Sequence, residues 1–424
     1  MSRNLLTAAQ VAARLGVKQS TVYAYVSRGV LGRTVAEDGR TSRFDAAEVE
    51  ELARRGRPRT DSRRVGAVDV VLSTSLTSMV DDELGYRGRR AVELARSSSF
   101  EAVAEFLWSG VSPEVVDHPP TWAAPAEDLE MARAVTAALP TASPVTEQLA
   151  VVTAALACAN PLRIDLQPEA VRHHAASLIA TLVDVLPPMA SGAPAGAAGG
   201  RRSRRSRPEA PTGSSVAERL WPRLTNEPAS PKRVRVLDAA LILLADHELA
   251  TSTLAARLAA STRADPYAVV LSGLGAVSGL LQGAAGHAPF QMLTDARSLG
   301  SPERAVALAL ATHGAVPGMG HPLYTEADPR AACLLDVLLP LVNRADRVML
   351  EGVLVAAQTT SRAQPNIDLA TAALAFTMQM PSAATEAIFA VARIAGWVAH
   401  AIEEYGEAPL RFRTRALYDG PAVG

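Results

Sequence analysis

The hydrophobic pattern changes character along this 424-residue chain. Over the first fifty residues it is short and punctuated. Thr7 stands where a helix N-cap would, and Val11, Ala12 and Leu15 then fall on one helical face. Gly16 ends that helix and Val17 packs the turn. Ser20 caps or opens a second helix carrying Val22, Tyr23 and Val26, which stops at Gly29. Two short extended stretches flank Asp38–Gly39, a hairpin signal, and Asp45 is placed to cap a third helix over 46–54. From about residue 68 the pattern becomes long, alanine- and leucine-rich and helical, with few alternating runs. Two polar, low-complexity stretches interrupt it. One is the basic, proline-bearing linker RRGRPRTDSRR, ending at Arg64. The other is the Gly/Ala/Ser/Pro-rich segment 190–215 with RRSRRSR inside it, which reads as a disordered surface insertion.

Composition sharpens this picture. Hydrophobic residues make up 48% of the chain and aromatics only 4%, which favours a helical protein with a large core. The net charge of −1 hides an asymmetry: residues 1–64 hold 13 Arg/Lys against 7 Asp/Glu, and the remainder holds 29 against 36. A basic head on an acidic body is the footprint of a nucleic-acid-binding module. Cys158 and Cys333 have no partner at metal-ligand spacing, so no metal site is expected and both read as reduced core or near-core thiols. There is no apolar leader and no uncharged run of about 18 residues to span a membrane. A cytoplasmic, prokaryotic protein is expected.

The richest chemistry lies in PGMGHPLYTEADPR, Pro317–Arg330. Gly318 and Gly320 free the backbone for positive φ and close approach of a ligand. His321 follows and can donate a ring N–H to a bound oxygen. Arg330 suits a carboxylate, which it can grip with two parallel hydrogen bonds. The combination reads as a site for a small oxyacid.

This segment resembles the signature of the citrate synthase family. LLADHELATST (Leu243–Thr253), QPNIDLATAAL (Gln364–Leu374), ARIAGWVAHAIEEY and RFRTRALYDGP resemble further motifs of that family, in its order. Val71–Gly110 resembles its opening helices. The resemblance covers roughly residues 68–420. It implies an all-α fold, with a large domain at 68–282 and 369–424 and a small closing domain at 283–368. It also implies a dimer, formed by two copies or with a paralogous chain, and no resident cofactor. The implied reaction condenses acetyl-CoA, or another short acyl-CoA, with oxaloacetate.

The same resemblance assigns roles. His321 would polarise the ketone and Asp368 would act as base, its pKa raised by an apolar setting; Asp368 also suits a helix N-terminus on electrostatic grounds alone. His247, Arg330, Arg393 and Arg413 would hold oxaloacetate, with Arg413 reaching across from the partner subunit. His247 could instead be a buried helix histidine bonded to Asp246 or Glu248. Val316, Pro317, Gly318, Met319 and Gly320 would meet coenzyme A. Several positions depart from the family, among them Leu280 or its neighbour for a proline and Gly286 for an asparagine. Gln282 stands where its enolate-stabilising histidine is expected, and Ala250 replaces an asparagine. On a helix His287 is displaced from Gln282 by roughly 140° and 7.5 Å and cannot stand in. A glutamine amide still offers N–H donors, so a slow enzyme, a shifted acyl preference or a catalytically lost binder all fit.

Residues 1–56 resemble a winged helix-turn-helix of the MerR type, with 57–67 as linker. Lys18, Gln19, Ser20, Thr21 and Tyr23 would face the major groove of double-stranded DNA, with Arg28 and Arg43 on phosphates. The alternative is a small protein-interaction module whose arginines are a solvated face. Two functions stand open: a condensing enzyme with a DNA-binding head, or a transcriptional regulator whose body senses oxaloacetate, citrate or acyl-CoA.

Overall fold

The computed structural model describes residues 5–15, 17, 19–27, 31–35, 42–45, 48–49, 71–115, 120–140, 142–189, 213–279 and 283–413. The chain divides into two compact units, Met1–Leu72 and Ser73–Gly424.

In the first unit the helices Ala8–Leu15 and Gln19–Ser27 pack on a three-stranded antiparallel sheet. Its strands are β1 (Leu5–Thr7), β2 (Thr34–Val35) and β3 (Ser42–Asp45), in the order β1-β3-β2. Thr7 caps the first helix as its sequence suggests. The Gln10 N–H donates to Thr7 Oγ1 at 3.3 Å, and the Gln10 side chain accepts the Thr7 N–H at 2.8 Å. Val11, Leu15, Val22, Leu31, Phe44 and Val49 close a small core. The hairpin is present, with Thr34 opposite Arg43, although its Asp38–Gly39 turn lies outside the described residues. One strand was not legible: β1 pairs with β3 through Leu6 and Phe44. Asp45 is the last residue of β3, and helix is described after it only at 48–49.

Among the described residues, the regular structure of the second unit is helical except at its start. There β4 (Thr77–Val80), β5 (Glu83–Tyr86) and β6 (Arg89–Arg90) form an antiparallel meander where helices were expected. Helices Ala91–Ser97 and Phe100–Ser109 follow. Ile367–Thr377 and the 23-residue Ala383–Tyr405 lie at the centre of the core. They are apolar on nearly every face, as interior helices are. Ala383–Tyr405 is long enough to cross a bilayer, but its most apolar stretch is 89% buried inside the body. It also carries buried Arg393, His400 and Glu404.

Two expectations need correction. Cys158 is exposed, on the last turn of Val145–Ala159, and only Cys333 is buried. The last residues of the expected insertion are structured: Ser215 caps the helix Val216–Leu224 in a reciprocal box with Glu218. Residues 190–212 lie outside the described residues.

Candidate active site

His247 and His321 meet edge to face, ring centroids 5.0 Å apart, beside a cavity of about 720 Å³. Glu248, Ala250, Thr251 and Ala276 line the same cavity. His247 is not a helix histidine. It sits in the turn after the helix Pro231–Leu244, and its Nε2 lies 2.9 Å from the Tyr324 hydroxyl. The Tyr324 ring is 5.0 Å from that of His321, and burial pushes its phenol pKa up, so it stays protonated. The Leu323 N–H donates to His321 Nδ1 at 3.1 Å. An Nδ1 that accepts cannot carry the proton, so the neutral ring holds it on Nε2.

The glycine turn is zipped to the PNID motif. Gly320 N–H donates to the Gln364 carbonyl at 2.8 Å and Asn366 N–H to that of Gly318 at 2.9 Å. Asn366 Nδ2 donates to the Gly320 carbonyl at 2.9 Å. The Asn366 side-chain oxygen also accepts the N–H groups of Asp368 and Leu369, capping Ile367–Thr377. Gly318 has φ +75°, and a Cβ there would lie 2.6 Å from Leu369 Cβ. Both facts require glycine. Asp368 therefore stands in the first turn of a capped helix, half-buried. Burial raises its carboxyl pKa, with Asp328 adding to the effect and the Arg330 and Arg393 charges opposing it.

Arg330 and Arg393 are each 2% exposed. The Asp328 carboxylate holds Arg330 by two hydrogen bonds of 2.9 Å, to Nε and Nη2. Asp328 Oδ2 also accepts the Ile367 N–H at 3.0 Å, tying the arginine's helix to that of Asp368. Burial opposes the charge on Arg330, and Asp328 with Tyr324 and Tyr86 together more than offset it, so the net pKa is raised. Arg393 Nε donates to the Leu244 carbonyl at 2.8 Å, just ahead of the His247 turn. Its pKa is lowered by burial, against the attraction of Asp246.

A buried polar chain behind the site was missing from the sequence reading. Asp246 accepts from Thr77 Oγ1, and its Oδ2 lies 3.2 Å from His400 Nε2. His400 Nδ1 lies 3.0 Å from Arg257 Nη1, which fixes it as an acceptor. Arg257 in turn bonds Glu403 and Glu404, and Glu404 accepts Arg411 at 2.7 and 2.6 Å. Gly396 lets the Ala383–Tyr405 helix approach closely, because a Cβ there would lie 2.6 Å from Asp246 Oδ1. Apart from Glu404 and Arg411, the partners are separated by more than a hundred residues, so only the histidine and aspartate types could have drawn attention to them.

The remaining candidates are spread out. Val316 is buried and Pro317, Gly318, Met319 and Gly320 are half-buried along the zipped turn. Arg413 is exposed, two residues past Arg411. Ala250 opens the helix Thr251–Ser261 without a side-chain cap. In the head, Gln19 and Tyr23 are exposed and Thr21 and Arg43 half-buried. Ser20 is the second residue of the second helix, which Gln19 opens. Gln282, Lys18 and Arg28 lie outside the described residues.

The chain is similar to known proteins in sequence and in fold. Citrate synthase 2 of Bacillus subtilis (strain 168) is 28% identical over 374 residues, spanning 83% of this chain and 94% of that protein. Citrate synthase of Mycolicibacterium smegmatis is 29% identical over 377 residues, 84% of this chain and 94% of that one. The crystal structure of citrate synthase from Thermotoga maritima MSB8 superposes with a TM-score of 0.61 at 25% identity, over 84% of this chain and 95% of that one. The Thermoplasma acidophilum enzyme, solved with carboxymethyl coenzyme A and oxaloacetate, shares the fold with a TM-score of 0.64 at 22% identity, over 84% and 95% of the two chains. Residues 5–57 match a helix-turn-helix domain. Residues 66–415 match the citrate synthase C-terminal domain, and the chain belongs to the citrate synthase family.

Proposed function

We propose that the body condenses a short acyl-CoA, acetyl-CoA in the simplest case, with oxaloacetate and water to give citrate and coenzyme A. The observation that carries this reading is the meeting of His247 and His321 at one cavity, with the Tyr324 ring packed against both and Arg330 and Arg393 buried nearby. Oxaloacetate brings two carboxylates and a ketone. Arg330 and Arg393 hold the carboxylates, with His247 beside them. Arg413 supplies a third cation from the partner subunit, in keeping with its exposure on the single chain.

Asp368 takes a proton from the acyl methyl group. Its raised pKa brings its basicity nearer to the task. The enolate oxygen is held by the Gln282 amide, a donor weaker than the family's histidine. The enolate carbon forms the new bond to the ketone carbon, and His321 Nε2–H donates to the developing alkoxide. Water then cleaves the thioester, releasing coenzyme A. Residues 316–320 receive coenzyme A, and segment 283–368 is the small domain that closes over both substrates. A release assay for free thiol, with acetyl-CoA and propionyl-CoA plus oxaloacetate, tests the proposal. No release, where oxaloacetate still raises the Tm, rejects it.

A second reading rests on the matched helix-turn-helix. The head is a MerR-type winged module binding double-stranded DNA, carried by a cytoplasmic dimer of this chain or by a mixed dimer with a paralogous chain. The body then senses oxaloacetate, citrate or acyl-CoA, and Gln282 and Ala250 mark relaxed selection on turnover. Binding to the protein's own upstream DNA that is altered by oxaloacetate, without thiol release, is the outcome that selects this reading.

A further inference from the structure

We propose that the β4–β5 hairpin positions both histidine-bearing turns, with Asp82 as the residue that holds the loop of His321 and Tyr324. This rests on the oxyacid-binding reading of the site. Both strands of the hairpin reach the turn of His247. Thr77 Oγ1 donates to Asp246, and the Tyr86 hydroxyl lies 3.0 Å from the carbonyls of both Ile242 and Asp246. The tip reaches the other turn, 243 residues away in sequence. The Asp82 carboxylate accepts the Thr325 N–H at 2.9 and 3.0 Å, the Thr325 hydroxyl at 2.5 Å and the Glu326 N–H at 2.9 Å.

The backbone at the tip supports a dedicated role. Val80 pairs with Glu83, so Asp81 and Asp82 form a two-residue loop, and their φ values are +51° and +59°. Such a loop ordinarily calls for asparagine or glycine, and left-handed aspartate carries some strain. Asparagine at 82 would suit the turn better and still accept hydrogen bonds, but with half the acceptor oxygens and no charge. What aspartate adds is a carboxylate that gathers two successive backbone N–H groups and a hydroxyl. His321 and Tyr324 lie four residues and one residue before Thr325, so this anchor fixes the loop that sets their contact with His247.

The test uses the full chain with Asp82→Gly and Asp82→Asn. Asp82→Gly removes the carboxylate while relaxing the left-handed backbone, so a loss cannot be blamed on strain in the turn. Hydrogen exchange of the peptide 321–328 is read without ligand, with Phe100–Ser109 as internal control. Oxaloacetate affinity is read by calorimetry. Exchange at least about tenfold faster in 321–328 alone, with oxaloacetate bound about tenfold more weakly, is expected for glycine. Asparagine, keeping one acceptor oxygen, should lie between glycine and wild type in both readouts. Exchange or affinity equal to wild type in Asp82→Gly overturns the proposal. If wild type itself binds no oxaloacetate, the oxyacid reading alone fails, and the exchange measurement by itself decides whether Asp82 holds the loop.

Discussion

Asp328 and Arg330, two residues apart at the start of one helix, form a buried ion pair whose acidic member also accepts the first N–H of the helix carrying Asp368. One carboxylate thus serves an arginine and a helix at once. Asp328→Ala strands a guanidinium that is 2% exposed. Loss of ~3–5 kcal/mol of stability is expected in denaturant titration, with weaker oxaloacetate binding. Stability within 1 kcal/mol of wild type would contradict the pairing.

In the proposed mechanism, Gln282→His restores an imidazole donor to the acyl side. If the missing imidazole limits turnover, thiol release should rise by about tenfold or more, with little change in oxaloacetate affinity. An unchanged rate would mean that Gln282 does not face the thioester.

Gly318 and Gly314 both have positive φ, +75° and +73°, but only Gly318 is crowded. Gly314→Ala should cost about 1 kcal/mol, the backbone penalty alone. Gly318→Ala adds overpacking against Leu369 and should cost ~1–3 kcal/mol more. Its thiol release should fall further than its stability explains, because the push lands beside Asp368. Equal effects of the two substitutions would show that the turn has slack.

Glu101 is 1% exposed, accepts the Val216 N–H, and is pushed up from 4.5 to about 7 by burial. The folded state therefore holds this proton more tightly than the unfolded chain does. Stability from this group is full below the unfolded pKa and falls as pH rises through the folded value near 7. Glu101→Gln should stabilise the protein at pH 8 by ~2–3 kcal/mol and scarcely at pH 4. Thermal melts across that range decide it; a gain equal at both ends would refute it.

For the head, affinity for its own upstream DNA should fall steeply with salt. Arg43→Ala should lower the slope of log affinity against log salt by about 1, across sequences alike. A slope that does not change removes Arg43 from the phosphate contacts.

The functional motifs were legible because each is local. PGMGHPLYTEADPR, ADHE and PNID keep their glycines, histidines and carboxylates within a few residues of one another, and the structure brings His247, His321 and Arg330 into one neighbourhood. What escaped was their support. Strands of four, four and two residues are too short to show an alternating pattern, so the β4–β6 meander read as helix. Thr77, Tyr86 and Asp82 act on turns more than 150 residues away, and His400 lies in a helix whose every face is apolar or buried. Asp328 was visible as part of a motif, but its second bond, to Ile367, depends on folding.

The zipped turn leaves His321 and Asp368 on one piece of backbone. Three hydrogen bonds between 318–320 and 364–366, with Asn366 capping the next helix, make the proposed ketone-side donor and the proposed base a single part. Their separation is then a property of the empty protein, set when it folds. Any closing motion could change only how far this part stands from His247 and Arg393, much as a jaw with two teeth meets its opposite.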